Sequence, residues 1–66
     1  MEFFLNENRF KTSNSFTVSD LVNYLNLVKF PIAIEVNGLF ISKNNWKKLN
    51  IKNQDEIEIV TIVGGG

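Results

Sequence analysis

The sequence predicts an α+β fold in which one main helix covers one face of a five-stranded mixed sheet. Three observations point to it: an alternating pattern near the amino terminus that suits a hairpin, one amphipathic helical stretch, and a second hairpin followed by a final apolar strand. The 66 residues suffice for a single domain. A helix that separates strand units in this order packs on one side of a sheet that all the strands share.

The first hairpin is predicted over residues 2–12. Glu2–Asn6 reads as a short strand, and Glu7-Asn8 reads as a tight turn because asparagine tolerates a left-handed backbone. Arg9–Thr12 alternates polar and apolar residues, as a half-buried returning strand does. Residues 13–15 are predicted to form the loop before the helix.

The helix is predicted to begin after Thr17. Thr17 can cap it, and Asp20 stands three positions later, where its carboxylate can bond back to the cap residue. An apolar stripe with helical spacing follows, formed by Val18, Leu21, Val22 and Leu25. The helix is expected to end near residues 26–28, because Pro31 disfavours helical geometry at the residue before it.

The second half of the chain is predicted to supply the other three strands. Residues 32–36 and 39–41 flank Asn37-Gly38, a strong hairpin signal that matches a type I′ turn. Further predicted segments are a short helical turn over residues 42–48, a loop over 50–56 and the last strand over 57–63. The domain would then span residues 1–63 as a β-grasp, with its first and last strands parallel in the middle of the sheet.

Side-chain alternation along the strands decides which residues face the helix. The richer apolar set is predicted to form the core, worth roughly 1.5–3 kcal/mol for each buried side chain before the entropy of ordering is subtracted. Its members are Phe3, Leu5, Val18, Leu21, Val22, Leu25, Ile32, Ile34, Val36, Ile57 and Ile59.

Four large apolar residues then remain for the outer face of the sheet: Phe4, Phe40, Val60 and Ile62. We predict that they form a partner-docking surface, in which Val60 and Ile62 matter most because their strand continues to the carboxyl terminus. The alternatives are that the loop around Trp46 covers part of this face, or that these are scattered exposed apolar residues. One interpretation of Asp55 and Glu58 is an acidic pair that steers the chain toward a basic partner surface. We favour the other, that they are a turn former and a solvated strand residue.

Composition excludes several kinds of function. The sequence has no cysteine and no histidine, so it offers no thiol nucleophile, no disulfide and no imidazole for catalysis or metal binding. Seven basic residues balance seven acidic ones, which argues against nucleic-acid binding. No apolar stretch is long enough for a signal peptide or a membrane span. We therefore expect no enzyme, no catalytic or metal-ligating residues, and a location in the cytoplasm, or in an organelle stroma if the chain is organelle-encoded.

Three glycines, Gly64, Gly65 and Gly66, follow the last predicted strand and are predicted to form a flexible tail. A tail without Cβ atoms can enter a channel too narrow for other residues, and it presents the terminal carboxylate unobstructed. We interpret this tail as the working part of the protein and the globular domain as the part that a partner holds. The alternative is a terminus that is merely disordered.

Several motifs of the chain are those of a known family. The most specific are residues 33–38, Ala-Ile-Glu-Val-Asn-Gly, and residues 58–60, Glu-Ile-Val, followed by the glycine terminus; residues 17–22 at the helix start are a weaker mark. With these motifs the whole chain resembles the ThiS sulfur carriers of thiazole (thiamin) biosynthesis, which are ubiquitin-like β-grasp proteins. The chain departs from that family at Gln54, which precedes Asp55 where glycine is common; this should change loop geometry and not chemistry. Trp46 and its Asn/Lys-rich loop are not family hallmarks, and we interpret Trp46 as a core residue.

The resemblance implies a specific chemistry for the tail. An E1-like adenylating enzyme would use ATP to activate the carboxylate of Gly66, and a persulfide from a cysteine desulfurase or another donor would supply sulfur. The resulting thiocarboxylate would be accepted by thiazole synthase. Gly64 and Gly65 would allow the tail to thread the narrow active sites of these partners, with Gly64 acting as a hinge. The chain itself would bind no cofactor.

Three alternatives remain at this stage. The same chemistry would serve the small subunit of molybdopterin synthase or a carrier for tRNA thiolation. A ubiquitin-like protein modifier would use the same adenylated terminus to form isopeptide bonds. A plain interaction module would use the sheet face alone, and its glycines would be incidental.

Overall fold

The computed structural model describes residues 1–62. The predicted domain end at Val63 and the predicted tail over residues 64–66 lie outside the described residues. The described part folds into strands, one α-helix and a short 3₁₀ turn. They are β1 (Glu2–Leu5), β2 (Asn8–Lys11), α1 (Val18–Tyr24), β3 (Ile32–Val36), β4 (Leu39–Phe40), the 3₁₀ turn (Lys43–Asn45) and β5 (Glu56–Thr61).

The strands form one five-stranded mixed sheet with the order β2-β1-β5-β3-β4. β1 and β5 run parallel, with Phe4 opposite Glu56 and Leu5 opposite Ile57. β3 and β5 run antiparallel over the whole length of β3. The two hairpins therefore flank β5, and α1 packs on one face of the sheet. The predicted α+β class, with the first and last strands parallel in the middle of a β-grasp, is confirmed.

The first hairpin turns one residue earlier than the sequence predicts. Asn6 and Glu7 occupy the turn, with φ of 47° and 70°, and β2 begins at Asn8. Two successive left-handed residues are typical of a type I′ turn, whose twist matches that of the flanking strands. Glutamate has no local preference for this conformation. The sequence therefore favoured a turn at Glu7-Asn8, and this predicted position is wrong.

The helix begins as predicted. The Asp20 N–H donates to the Thr17 hydroxyl at 3.0 Å, and the Thr17 N–H donates to the Asp20 carboxylate at 3.0 Å. This reciprocal pair satisfies two of the backbone donors that every helix start leaves free.

The helix ends at Tyr24, before the predicted range of residues 26–28. Asn26 has a left-handed φ of 59°, its N–H donates to the Asn23 carbonyl, and the Leu27 N–H donates to the Val22 carbonyl. These are the two hydrogen bonds of a Schellman motif, so Asn26 ends the helix and Pro31 does not. No helix within residues 1–62 is long and apolar enough to cross a membrane.

The second hairpin has the predicted turn. Asn37 and Gly38 have φ of 52° and 85°, as a type I′ turn requires. β4 is shorter than predicted because Ile41 falls outside it, although the Ile41 N–H still donates to the Ile34 carbonyl at 2.9 Å.

The core lies between α1 and the inner face of the sheet. Leu25, Ile32 and Ile59, which the sequence placed in it, are only partly buried at its margin. Ile51 is buried and was missed, because it belongs to a segment that the sequence reads as a loop. The buried residues are Phe3, Leu5, Val18, Leu21, Val22, Ile34, Val36, Trp46, Ile51 and Ile57.

Trp46 anchors the segment after β4 to the helix side of the molecule. Its indole N–H donates to the Ile41 carbonyl at 3.1 Å, and its own carbonyl accepts from the Ser19 N–H at 3.0 Å. The Leu49 carbonyl accepts from the Val18 N–H at 2.9 Å. Carbonyl groups of this segment thus accept from two more backbone N–H groups at the start of the helix, which have no partner within the helix. Because it packs on the helix side, it leaves the outer face of the sheet uncovered.

Gln54 carries the strain of the loop before β5. Its φ is 72°, in the left-handed region where a residue with a Cβ atom is disfavoured and glycine is not. Its N–H is nevertheless held by the Glu2 carbonyl. Gln54 stands where glycine is common in the ThiS sulfur carriers that the chain resembles. The difference therefore concerns the backbone conformation of the loop and not a chemically active group.

We predict that Gln54→Gly raises the free energy of unfolding. Relief of the left-handed strain, about 1–2 kcal/mol, outweighs the extra backbone entropy of glycine and leaves a gain of roughly 0.5–1 kcal/mol. Denaturant titration of the two proteins measures it. Gln54→Ala is the matched control, since it also removes the side-chain amide but keeps Cβ. Equal stability of the glycine and alanine variants would contradict the argument.

Candidate functional site

β5 is the central strand of the sheet and leads directly to the glycines. It is bonded to β1 on one side and to β3 on the other. The Ile62 N–H donates to the Pro31 carbonyl at 2.7 Å, which extends the β3 side of the ladder one residue past the strand end. Gly64, Gly65 and Gly66 themselves lie beyond the described residues, so their roles stay predictions.

The structure places all four predicted docking residues on the outer face of the sheet. Val60 lies opposite Ala33 and is 48% exposed, and Ile62 follows it on the same face at 51% exposure. Phe40 lies opposite Glu35 at 70% exposure. Phe4 alternates with the buried Phe3 and is half-buried. The face is therefore available, while docking itself stays a prediction.

The four residues do not form one continuous apolar patch. Phe4 is on β1 and Phe40 is on β4, with β5 and β3 between them. At the usual strand spacing this separates the two rings by about 14 Å. Val60 and Ile62 form the closer pair, on the strand that carries the tail.

Glutamates occupy the space between the two phenylalanines. Glu35 and Glu58 lie directly opposite each other on β3 and β5, an arrangement that costs a few tenths of a kcal/mol in an exposed sheet. Glu56 points to the same face as Glu58, two residues earlier on β5. The outer face thus combines carboxylates with apolar side chains, and Glu58 is the solvated strand residue that the sequence predicts.

Asp55 acts as the turn former that the sequence predicts. Its carboxylate accepts from the Asn37 side-chain amide at 2.9 Å and from the Lys52 N–H at 2.7 Å. The side-chain oxygen of Asn37 also accepts from the Glu56 N–H at 2.9 Å. The turn of the second hairpin therefore holds the beginning of β5 in place.

Asn6 holds β5 from the opposite side, a role that sequence reasoning missed. The Ile59 N–H donates to the Asn6 side-chain oxygen at 2.8 Å, and the Asn6 amide donates to the Ile59 carbonyl at 3.3 Å. The sequence predicted Asn6 only as the last residue of the first strand. The partner is 53 residues away, so no local pattern could have indicated it.

Two lysines lie on the helix side of the molecule. Lys43 and Lys47 border an open groove between α1 and the 3₁₀ turn, with Val22, Val28 and Trp46 among its walls. The Lys43 ammonium lies 6.0 Å from the centre of the Trp46 ring. The described lining of this groove carries amines, amides and one hydroxyl, with no carboxylate beside them for acid–base chemistry. The charges are not separated by face, because Arg9 and Lys11 lie opposite Phe4 and Glu2 on the β1–β2 pair and both form ion pairs with the Glu2 carboxylate.

Comparison with known proteins finds similarity over nearly the whole chain. The model of the ThiS family matches residues 2–66. An uncharacterized protein ycf40 of Trieres chinensis is 44% identical over 64 residues, which cover 97% of this chain and 88% of that protein. A ycf40 protein of Porphyra purpurea is 37% identical over 62 residues, which cover 94% of this chain and 87% of that one.

Solved structures resemble the chain in fold. The crystal structure of the thiamine biosynthesis protein ThiS from Geobacter metallireducens superposes with a TM-score of 0.86 at 22% sequence identity, over 100% of both chains. The solution structure of a thiamine biosynthesis protein from the same organism gives a TM-score of 0.78 at 22% identity, over 100% of this chain and 88% of that one.

Proposed function

This chain belongs to the ThiS family of ubiquitin-like sulfur carriers, and we propose that it carries sulfur as a thiocarboxylate on Gly66 for thiazole formation in thiamin biosynthesis. The observation that supports this most directly is the placement of β5. β5 precedes the glycines in the sequence, is the central strand of the sheet and is paired on both sides. The outer face of the sheet is not covered by other elements of the described residues.

The proposed chemistry starts from a poor electrophile. A carboxylate resists nucleophiles because of its negative charge, and oxide is a poor leaving group. The Gly66 carboxylate attacks the α-phosphate of ATP and releases pyrophosphate, which gives an acyl-adenylate whose AMP leaves readily. The terminal sulfur of a persulfide displaces AMP, and a thiol then cleaves the acyl disulfide to release the thiocarboxylate. The proposal takes Gly66 as the carboxyl terminus of the working protein.

The catalytic groups of this reaction belong to partners. The sequence supplies no cysteine and no histidine, and the proposed role of the chain is that of a carrier and not of a catalyst. The partners are an E1-like adenylating enzyme that binds ATP, a cysteine desulfurase or other persulfide donor, and thiazole synthase. The reaction is placed in the cytoplasm, or in an organelle stroma if the chain is organelle-encoded.

The outer face is the proposed surface by which the adenylating enzyme holds the carrier. Val60 and Ile62 support this proposal because their strand leads to the tail, so a protein that grips them also aims Gly66. Glu35 and Glu58 favour a partner with basic side chains beside its apolar ones, because the opposed carboxylates lack a cation partner among the ion pairs of residues 1–62.

Two alternatives share the activated terminus and differ in the acceptor. A molybdopterin-synthase subunit or a tRNA-thiolation carrier would show the same thiocarboxylate, and only the accepting enzyme would differ. A protein modifier would instead yield heavier branched conjugates, which intact-mass analysis separates from a thiocarboxylate. A plain interaction module would bind its partners unchanged after removal of Gly65 and Gly66.

The tail prediction concerns Gly65. Gly65→Val should abolish ATP–pyrophosphate exchange by the cognate adenylating enzyme, because a branched side chain does not fit a channel that admits only backbone. The thermal unfolding midpoint should stay that of the wild type. Gly64→Ala is the control at the hinge position and should reduce exchange only partly. Normal exchange by the Gly65→Val variant would contradict the proposed threading.

The docking prediction concerns Val60 and Ile62. Their joint replacement by threonine keeps the branched shape and removes apolar surface, so the KM for the carrier in pyrophosphate exchange should rise roughly tenfold. Val28→Thr is the matched control, because Val28 is 56% exposed but lies outside the sheet. An unchanged KM in the double variant, or an equal rise in the control, would contradict docking through the outer face.

A further inference from the structure

We propose that Asn6 is a positioning residue, which fixes the direction in which β5 leads into the glycine tail. The inference rests on the proposed function, because this direction matters for activity only if the tail must enter an active site. The evidence for it is where the pairing of β5 with β1 and with β3 stops.

β1 accompanies β5 only over its first part. The parallel pairing covers Phe4 with Glu56 and Leu5 with Ile57, and the Asn6 N–H still reaches the Ile57 carbonyl at 2.8 Å. The chain then reverses at Asn6, while β5 continues to Thr61. From Glu58 onward, β5 therefore lacks a strand neighbour on the β1 side within the described part of the chain.

The Asn6 side chain replaces the missing strand residue. A carboxamide offers one acceptor and two donors, the same kinds of group that a peptide unit presents to a ladder. Its oxygen accepts from the Ile59 N–H at 2.8 Å and its nitrogen donates to the Ile59 carbonyl at 3.3 Å. This pair of bonds continues the ladder on the β1 side by one further step.

The ladder on the opposite side of β5, which it forms with β3, also ends near this point. The Ile62 N–H donates to the Pro31 carbonyl, but proline has no N–H with which to complete the pair. Within residues 1–62, Asn6 therefore makes the last hydrogen bonds on the β1 side of β5 before the tail. Without the Asn6 bonds, the end of β5 is held only by its hydrogen bonds on the β3 side and can pivot on them.

This freedom would affect the reaction because it lowers the fraction of carriers whose tail points in the direction that the enzyme binds. An enzyme that binds one direction of the tail has its apparent affinity reduced by the fraction of carriers that present another. The loss should appear in the KM for the carrier, whereas kcat should change little because the bound complex is the same.

Two substitutions test Asn6 without disturbing its turn. Asn6 has a φ of 47°, and Asn6→Gly keeps that conformation favourable while it removes both bonds to Ile59. Asn6→Asp keeps the acceptor for the Ile59 N–H, but an ionised carboxylate has no proton to donate to the Ile59 carbonyl.

Asn37→Gly is the matched control. Asn37 also sits in a turn with a left-handed φ, of 52°, and also makes two side-chain hydrogen bonds at β5, to the Glu56 N–H and the Asp55 carboxylate. These bonds lie at the opposite end of β5 from the tail. The control therefore loses a similar set of contacts without releasing the tail end.

We expect Asn6→Gly to raise the KM for the carrier in pyrophosphate exchange about three- to tenfold, with Asn6→Asp in between. Asn37→Gly should lower stability to a similar extent and leave KM unchanged, which a purely structural role of Asn6 would not explain. A wild-type KM in Asn6→Gly, or an equal rise in Asn37→Gly, would overturn the proposal.

Backbone amide relaxation by NMR tests the positioning separately from activity. The amides of Thr61 and Ile62 should become less ordered in Asn6→Gly and not in Asn37→Gly. If the wild-type carrier supports no exchange at all, the proposed function fails, while these order parameters still decide whether Asn6 directs the strand. Unchanged order in Asn6→Gly would overturn the positioning role even if exchange occurs.

Discussion

The pairing of β5 between β1 and β3 is the interaction on which the rest of the structure depends. It joins the two hairpins into one sheet and puts the almost fully buried Ile57 beneath α1. Each hairpin adds an asparagine from its own turn, Asn37 at the beginning of β5 and Asn6 further along it. In our proposal these contacts fix the direction in which β5 leads into the tail, where the chemistry takes place.

The same arrangement separates recognition from reaction. The helix side of the sheet is used for packing, including the Trp46 segment, so the outer face stays free for Val60, Ile62 and the opposed glutamates. In our proposal the carrier supplies direction and a carboxylate, and the partners supply every acid, base and nucleophile. A domain of 66 residues can perform this role because it needs no enclosed active site.

The sequence predicted those parts of the fold that depend on neighbouring residues. Thr17 with Asp20, and Asn37 with Gly38, specify a cap and a turn through bonds and backbone preferences within a few residues. Prediction failed where distant contacts decide. Glu7 adopts a left-handed conformation that its own preferences disfavour, and Ile51 is buried because its segment folds back onto the helix. For the site, alternation placed Val60 and Ile62 on the outer face, but the opposed glutamates required the register and Asn6 required the tertiary contact.

The most direct test of the central claim is the mass of the carboxyl-terminal peptide after reaction. The carrier is incubated with its adenylating enzyme, ATP and a persulfide donor, alongside a variant with one alanine added after Gly66. The account predicts that sulfur replaces one oxygen on Gly66 in the wild-type chain and that the extended variant gains none. Equal sulfur on the extended variant, or sulfur on any residue other than Gly66, would contradict it.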